Sequence, residues 1–314
     1  MKIFRYNPKT KFPIKGLSVA MGNFDGLHIG HRSIIELANR KDLSGKFGVL
    51  TFDPHHREFF TKNHEPFRLM TKTTKKITLK KIGLDVLLEI PFTQEISLLE
   101  PSAFIQKVLH NHFRLAHVVV GEDFKFGHQR KGDAELLKTF GASLGIEVTI
   151  APLLKNSVSE ISSTAIRKAL RDGAPEEAKK MLGEWYSIVG IVTEGDKRGR
   201  ILGYPTLNLK LTDLNLPKFG VYSAIVKILT GNYRGTYFSA VSIGERPTYG
   251  KQIPNLEAHL LNFSENIYGE QVAVYLIAFQ RPEITYSSSE ELIQQMKKDC
   301  AIAMKLYEDS ACRE

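Results

Sequence analysis

The chain has 314 residues, of which 42% are hydrophobic and 25% charged, and its formal net charge is +9. A chain of this length is expected to form two domains, because single hydrophobic cores rarely grow beyond about 250–300 residues. No run approaches the ~20 apolar residues of a membrane-spanning helix and no signal peptide opens the sequence, which predicts a cytoplasmic protein. Cys300 and Cys312 are the only cysteines, which excludes a disulfide framework and a cysteine zinc site.

The first predicted element is a buried strand over residues 17–21, which Gly22 ends before a helical pattern opens at His31. A strand, a glycine turn and a helix N-terminus in this order suit phosphate, because backbone N–H groups and the helix dipole favour negative charge there. His28 and His31 are spaced so that a first helical turn places both rings on one side, where they can donate to a phosphoryl oxygen. A pair of surface histidines remains the alternative interpretation.

Apolar runs and helical patterns alternate through the first half of the chain, which predicts a parallel sheet with crossover helices. The strand-like runs are residues 17–21, 47–52, 86–90, 117–120 and 148–150. The helical patterns cover residues 77–82, 104–109 and 136–140. Ligands of such sheets bind beyond the carboxyl ends of the strands, so polar motifs that follow strands are expected to form the site. These motifs are residues 22–25, 53–56 and 121–127.

A basic run follows in residues 72–81, where lysines surround Ile77, Leu79 and Ile82 at helical spacing. The pattern predicts an amphipathic helix with a solvated basic face. Together with the net charge it raises nucleic-acid binding as a competing function. A positive field that attracts phosphorylated small molecules is the favoured interpretation, because no nucleic-acid-binding motif accompanies the run.

A further helix is predicted to start near residue 162, with Ser162 or Ser163 as N-cap. Thr164 and Arg167 lie in its first turns, so hydroxyls, N–H groups and one guanidinium together form a candidate second phosphate clamp. The same pattern also fits a capped helix with no further role.

The pattern changes after a helix over residues 175–182, which Gly183 ends. From Tyr186 onward, short alternating runs predict a small antiparallel barrel or sandwich. The runs are residues 188–192, 221–228, 237–243, 256–261 and 272–279. A capping-box spacing at residues 288–291 opens a C-terminal helix. We therefore expect domains over residues 1–183 and 184–314, and a fold of the α/β plus β class.

Four motifs in the first half carry a family resemblance: GNFDGLHIGH from Gly22, TFDPH from Thr51, GEDFKFG from Gly121 and ISSTAIR from Ile161. The second half adds GRILGYPTLN from Gly199, GVY from Gly220, GERPT from Gly244, LEAHL from Leu256, YG from Tyr268 and RPE from Arg281. In order and spacing, these motifs resemble the prokaryotic bifunctional riboflavin kinase/FMN adenylyltransferase family. The resemblance implies a Rossmann-like nucleotidylyltransferase domain followed by a riboflavin kinase barrel.

The resemblance implies that the first domain joins FMN and ATP into FAD and pyrophosphate. By motif match, His28 and His31 would steady the ATP phosphates and Arg167 would hold the leaving pyrophosphate. The remaining phosphate-site positions are Gly22, Asn23, Phe24, Asp25, Gly30, Ser162, Ser163 and Thr164. Asp123, Phe124 and Phe126 would lie near the flavin, although a phenylalanine beside a strand is also common in a core.

For the second domain, the resemblance implies phosphorylation of the terminal hydroxyl of riboflavin, with Glu257 as catalytic base. Thr206 and Asn208 would bind Mg²⁺ and an ATP phosphate, since hydroxyl and amide oxygens are suitable ligands for a hard cation. Gly203 would contact ATP at the end of a basic lid over residues 195–203, and Arg281 would contact the flavin. The implied partners are riboflavin, FMN and ATP, with no nucleic acid and no membrane.

Three positions depart from the pattern of this family. Leu207 replaces the usual alanine, Ser242 replaces asparagine, and Ala258 replaces the frequent valine. Extra bulk at Leu207 is expected to press on the two neighbouring ligands. An adenylyltransferase with a kinase-inactive, flavin-binding barrel is therefore an alternative hypothesis, and a basic nucleic-acid-binding protein on this scaffold is a remote one.

Overall fold

The computed structural model describes residues 1–39, 45–60, 66–154, 160–195, 199, 202–211, 214–248 and 251–308. Packing divides the chain into two compact units, one of residues 1–64 and 72–162 and the other of residues 65–71 and 163–314. Two helices after residue 162 thus group with the second unit by contact, whereas the domain boundary at 183/184 remains a prediction. Within the described ranges, no helix is long and apolar enough to span a membrane.

The first unit is built on a six-stranded parallel sheet. Its strands are β1 (Lys2–Arg5), β2 (Ser18–Met21), β3 (Phe47–Asp53), β4 (Val86–Pro91), β5 (His117–Gly121) and β8 (Glu147–Ala151). The five expected strands are confirmed, and the edge strand β1 is an addition. It was missed because a short strand with one exposed side has no buried run to reveal it.

The strand order is β1-β4-β3-β2-β5-β8, so the direction of winding reverses between β2 and β5. Ligands of open α/β sheets bind at such a reversal, outside the carboxyl ends of the strands. The glycine turn after β2 and the segment after β5 flank this position.

The helices of the first unit are longer or more numerous than the sequence pattern indicated. They are α1 (Ile29–Leu37), α2 (His56–Phe60), α3 (Lys72–Lys81), α4 (Gln94–Ser97), α5 (Pro101–Phe104, continued as a π-helix over Ile105–His112) and α6 (Ala134–Ser143). A short hairpin, β6 (Lys125–Phe126) and β7 (Gly132–Asp133), follows β5. Helix α1 begins two residues before the expected start at His31, with consequences for the site.

The second unit contains a six-stranded antiparallel sheet in the order β10-β13-β12-β11-β14-β9. Its strands are β9 (Ser187–Ile191), β10 (Leu207–Lys210), β11 (Gly220–Ile228), β12 (Gly235–Thr248), β13 (Lys251–Leu260) and β14 (Gln271–Arg281). A bridge between Thr193 and Asn208 joins the two ends of this order, so the sheet nearly closes into the expected barrel. Strand β10 was not among the expected strands.

The helices that accompany this barrel include α7 (Ser163–Arg171), α8 (Pro175–Leu182) and α9 (Ser289–Glu308). Gly183 ends α8 in the left-handed conformation, φ 80°, as the sequence predicted. At α9, Ser288 Oγ accepts from the Glu291 N–H at 3.2 Å, one half of the expected capping box. The Glu291 carboxylate turns instead to Ser287, which donates from its N–H and its hydroxyl.

Candidate active sites

In the first unit, the side chain of His28 caps helix α1. Its Nδ1 accepts a hydrogen bond from the His31 N–H at 3.3 Å, which satisfies one of the unpaired donors at the helix start. Because Nδ1 is the acceptor, a neutral His28 ring carries its proton on Nε2. A Cβ at Gly30 would lie 3.2 Å from His28 Nδ1, so glycine leaves room for this cap.

The two histidine rings stack, with centroids 3.5 Å apart and planes 20° from parallel. The prediction that both rings share one side of the first turn is confirmed, but the reason differs. His28 precedes the helix and folds back over its first turn, rather than lying one turn along it. The stack stands at the end of α1 where N–H groups and the helix dipole favour an anion.

The turn between β2 and α1 is held from several sides. The Gly22 N–H donates to the Leu50 carbonyl at 3.1 Å, and the ring of Phe24 is buried and contacts His31 edge to face at 5.2 Å. Asp25 is also buried. Phe24 has φ 50°, a left-handed value that a phenylalanine adopts rarely and that its surroundings must impose.

Sequence reasoning missed a second set of polar contacts on this turn. Lys75 from α3 donates to the Asn23 carbonyl at 2.5 Å and to Thr51 Oγ1 at 2.9 Å. The Asn23 side-chain amide lies 3.5 Å from His56 Nδ1. Burial is the largest cause that lowers the pKa of His56, and Arg130 and Arg57 lower it further, so the ring is neutral and accepts from Asn23 Nδ2.

The basic run of α3 is therefore less free than its pattern indicated. Lys72 pairs with Asp53 at 2.6 Å and Lys76 with Glu89 at 3.0 Å, while Lys75 is engaged by the turn. Leu79 is fully buried as expected, but Ile77 is 40% exposed and does not belong to the buried face.

The three proposed flavin contacts after β5 occupy different environments. Phe126 lies in the hydrophobic core, near the Phe104 ring at 5.8 Å, as the alternative interpretation held. Phe124 is half-buried and stacks on Phe126 at 5.6 Å, and Asp123 is exposed. Only Phe124 and Asp123 thus have surface to offer a ligand, and the flavin role of all three remains a prediction.

Helix α7 begins at Ser163, which leaves Ser162 at the preceding position expected of an N-cap. Arg167 is buried beside the apolar residues of the helix, and its Nε donates to the Phe67 carbonyl at 2.6 Å. Its guanidinium carbon also lies 5.4 Å from the centre of the Phe67 ring. Thr164 is exposed. Because Arg167 belongs to the second unit and the histidines to the first, the clamp on pyrophosphate remains a prediction.

In the second unit, Glu257 lies beside both predicted metal ligands. The Thr206 hydroxyl donates to Glu257 Oε2 at 3.2 Å, and Asn208 on β10 is the register partner of Glu257 on β13. Asn208 is buried, and its Oδ1 accepts from Asn255 Nδ2 at 3.0 Å. Hydroxyl, amide and carboxylate oxygens thus meet in one place, a donor set that suits Mg²⁺. Among the described residues, no cluster of three or more histidine, cysteine or acidic side chains forms a metal site.

The surroundings of Thr206 and Asn208 are tight on one side and open on the other. A Cβ at Gly195 would lie 2.5 Å from Asn208 Nδ2, so glycine allows the chain to pass close to this amide. A pocket lies next to Thr206, lined also by Pro205, Leu260, Phe263 and Tyr268. Gly203 is exposed with φ 84°. Much of the predicted basic lid, residues 196–198, 200 and 201, lies outside the described residues.

The bulk of Leu207 is not directed at Thr206 and Asn208, contrary to the expectation from the sequence. On β10 its side chain points away from Thr206 and Asn208, because side chains alternate along a strand. It is buried opposite Ala258, its register partner on β13. Leu207 thus faces the small Ala258 across the strand pair, and not the two predicted ligands. The third departure, Ser242, is the register partner of Glu257 on β12.

Arg281 makes a bidentate ion pair with Asp299 of helix α9. Its Nε donates to Oδ1 at 3.0 Å and its Nη2 to Oδ2 at 2.7 Å. The side chains are only 17% and 5% exposed, and hydrogen bonding to Asp299 is the largest cause that raises the pKa of Arg281. The arginine thus ties the C-terminal helix to β14, and its predicted contact with the flavin is untested.

Comparisons with known proteins match both halves of the chain. A family model described as FAD synthetase matches residues 12–165, and one described as riboflavin kinase matches residues 182–307. A bifunctional riboflavin kinase/FMN adenylyltransferase of Buchnera aphidicola is 35% identical, covering 98% of this chain and 99% of its own. The protein of that name from Escherichia coli (strain K12) is 33% identical, with 98% of each chain covered. A crystal structure described as a macrolide-efflux protein from Streptococcus pneumoniae is similar at a TM-score of 0.83 and 30% identity, covering 96% of this chain and 98% of its own.

Proposed function

This chain belongs to the bifunctional riboflavin kinase/FMN adenylyltransferase family, and we propose that it carries out both reactions with the residues described above. The kinase converts riboflavin and ATP to FMN and ADP, and the adenylyltransferase converts FMN and ATP to FAD and pyrophosphate. The observation that carries the proposal is the meeting of Thr206, Asn208 and Glu257 in the barrel, since it supports the activity that the sequence left in more doubt.

In the kinase reaction, the terminal hydroxyl of riboflavin attacks the γ-phosphorus of ATP, and the bond to the β-phosphate oxygen breaks. Glu257 takes the hydroxyl proton as the new P–O bond forms. Thr206 and Asn208 would hold Mg²⁺, which when bound shares the negative charge of the transferring phosphates. The hydrogen bond from the Thr206 hydroxyl also orients the Glu257 carboxylate. Gly203 borders the ATP phosphates, and Arg281 contacts the flavin.

In the adenylyl transfer, a phosphate oxygen of FMN attacks the α-phosphorus of ATP, and the bond to the β-phosphate oxygen breaks to release pyrophosphate. No enzyme nucleophile is needed, so catalysis consists of positioning and charge stabilisation. His28 donates from Nε2–H and His31 from its ring to the phosphoryl oxygens, while the first N–H groups of α1 add to the positive field. Arg167, with Ser162, Ser163 and Thr164, holds the pyrophosphate.

The remaining assignments follow from the same chemistry. Gly22, Asn23, Phe24, Asp25 and Gly30 form the phosphate turn of the adenylyltransferase. Asp123 and Phe124 lie on its flavin side, and Phe126 supports Phe124 from the core. We keep the boundary between the two activities at 183/184, close to residue 182, where the match to the riboflavin kinase model begins. We place the enzyme in the cytoplasm, where ATP is supplied, without a nucleic-acid or membrane partner.

The proposal is tested by separating flavins after the pure protein is incubated with ATP and Mg²⁺ and either riboflavin or FMN. FAD from both incubations, with FMN as an intermediate in the first, is the expected result. FAD from the FMN incubation alone would support a kinase-inactive barrel. The absence of any new flavin in both incubations would contradict both activities.

A further inference from the structure

Lys75 brings together three elements of the first unit around one backbone carbonyl. Its ammonium, from helix α3, lies 2.5 Å from the carbonyl oxygen of Asn23 and 2.9 Å from Oγ1 of Thr51 on β3. Thr51 is buried, and its hydroxyl donates to the same Asn23 carbonyl at 3.4 Å. The Asn23 carbonyl is thus held by an ammonium and a hydroxyl.

This contact fixes the orientation of one peptide group. In a planar trans peptide the carbonyl and the following N–H point in opposite directions. With the Asn23 carbonyl turned toward Lys75, the N–H of Phe24 is directed to the other side of the chain. Phe24 also has the left-handed φ of 50°, which persists only where surrounding contacts impose it.

The peptide between Asn23 and Phe24 is connected to the stacked histidines through the Phe24 side chain. The buried Phe24 ring packs edge to face on His31, which stacks on His28. The Oδ1 of Asn23 is itself buried and has no hydrogen-bond partner among the described residues, so it can receive a donor from a ligand. A shift of the Asn23 carbonyl would therefore move Asn23 Oδ1, which is free to accept a hydrogen bond from a ligand, and the Phe24 ring, which packs on His31.

We propose that Lys75 is a positioning residue for adenylyl transfer: it holds the peptide between Asn23 and Phe24 in the orientation that the phosphate turn needs. The proposal rests on the proposed function of this turn. Lys75 acts through the backbone and touches no reacting atom. Lys72 and Lys76 of the same helix pair with the carboxylates of Asp53 and Glu89.

The test compares Lys75→Met with Lys80→Met, which removes the same charge from an exposed position of the same helix. Steady-state FAD formation from FMN is measured with ATP and FMN varied separately. Since small misplacements of reacting groups cost about 100-fold in rate, we expect Lys75→Met to lower kcat by about 10- to 100-fold with a smaller change in KM. We expect Lys80→Met to stay within about 2-fold of the wild type.

Two further variants and two readouts of folding separate positioning from loss of the fold. Lys75→Arg, which keeps a donor, should regain part of the lost kcat, and Thr51→Val should lower kcat in the same direction by a smaller factor. Riboflavin kinase activity and Tm report on folding and should change little in Lys75→Met.

Unchanged kcat in Lys75→Met, or an equal loss in Lys80→Met, would overturn the proposal. So would a joint loss of FAD formation, kinase activity and Tm without rescue by arginine, which would make Lys75 a purely structural residue. If the wild-type protein makes no FAD from FMN, the proposed function itself fails, and that outcome is recognised before any variant is compared.

Discussion

The hydroxyl of Thr206 donates a hydrogen bond to Oε2 of Glu257 across 3.2 Å, although the two residues are 51 positions apart in the chain. A carboxylate that is held in place beside two candidate magnesium ligands is suited to accept a proton from an alcohol. The relationship joins a predicted ligand and a predicted base that motif matching had assigned separately.

Glu257→Gln should abolish the kinase and spare adenylyl transfer. The amide keeps the shape of the side chain but cannot act as a base, so we expect FMN formation from riboflavin to fall by about 10²–10⁴-fold. FAD formation from FMN serves as the internal control and should remain within about 2-fold. A variant that still phosphorylates riboflavin at the wild-type rate would remove Glu257 from the mechanism.

Arg167→Lys should have the opposite selectivity. Lysine keeps the charge but loses the planar fork and the Nε contact with the Phe67 carbonyl. We expect FAD formation to fall by about 10²-fold or more, as when one preorganised donor is lost, while FMN formation is retained. Arg171→Lys is the matched control, because Arg171 is exposed on the same helix. Loss of both activities in a folded variant would contradict separate sites.

Because Leu207 and Ala258 face each other, we expect that the effects of Leu207→Ala and Ala258→Val on the free energy of unfolding will not be additive. Leu207→Ala should lower the free energy of unfolding by about 2–5 kcal/mol, through a cavity, and Ala258→Val by about 1–3 kcal/mol, through overpacking. The double variant should regain much of the loss, because the bulk has only moved across the strand pair. Denaturant titration of all four proteins measures this coupling, and simple additivity would show that the two side chains do not share one space.

The ion pair between Arg281 and Asp299 should stabilise the attachment of helix α9. Removing one partner of such a shielded pair leaves an uncompensated charge, so Asp299→Ala should cost about 3 kcal/mol in the free energy of unfolding. The control is Asp172→Ala, which breaks the exposed pair with Lys168 and should cost less than about 1 kcal/mol. If Arg281 also contacts the flavin, Asp299→Ala will raise KM for riboflavin, which steady-state kinase assays measure.

The lowered pKa of His56 predicts a loss of stability in mild acid. Burial and nearby arginines keep this ring neutral in the folded protein, whereas an unfolded histidine gains a proton near pH 6.5. Between the two pKa values the unfolded state binds more protons, so this contribution is present above pH 6.5 and decreases as the pH falls. Unfolding measured from pH 5 to 7.5 should show a weaker pH dependence in His56→Gln than in the wild type. An identical dependence would exclude His56 as its source.

The sequence by itself determined the two folds, and its motifs proposed the candidate site residues. Alternating apolar runs set the strands because each strand must bury one or both of its faces, and Gly183 ended its helix because glycine adopts a left-handed φ at little cost. The histidine pair at the start of α1 was also recognisable, since its spacing within a glycine turn is a local property.

Only the tertiary structure decided which residues meet. Strand β10 was missed because its four residues alternate too briefly to stand out, yet it brings Asn208 opposite Glu257. Three other relationships depend on partners that periodicity does not identify. They are the cap that His28 provides for α1, the placement of Leu207 opposite Ala258 and the hydrogen bond from Lys75 to the Asn23 carbonyl. Local patterns report burial and turn chemistry, whereas sheet order and register determine which distant side chains come within hydrogen-bond distance.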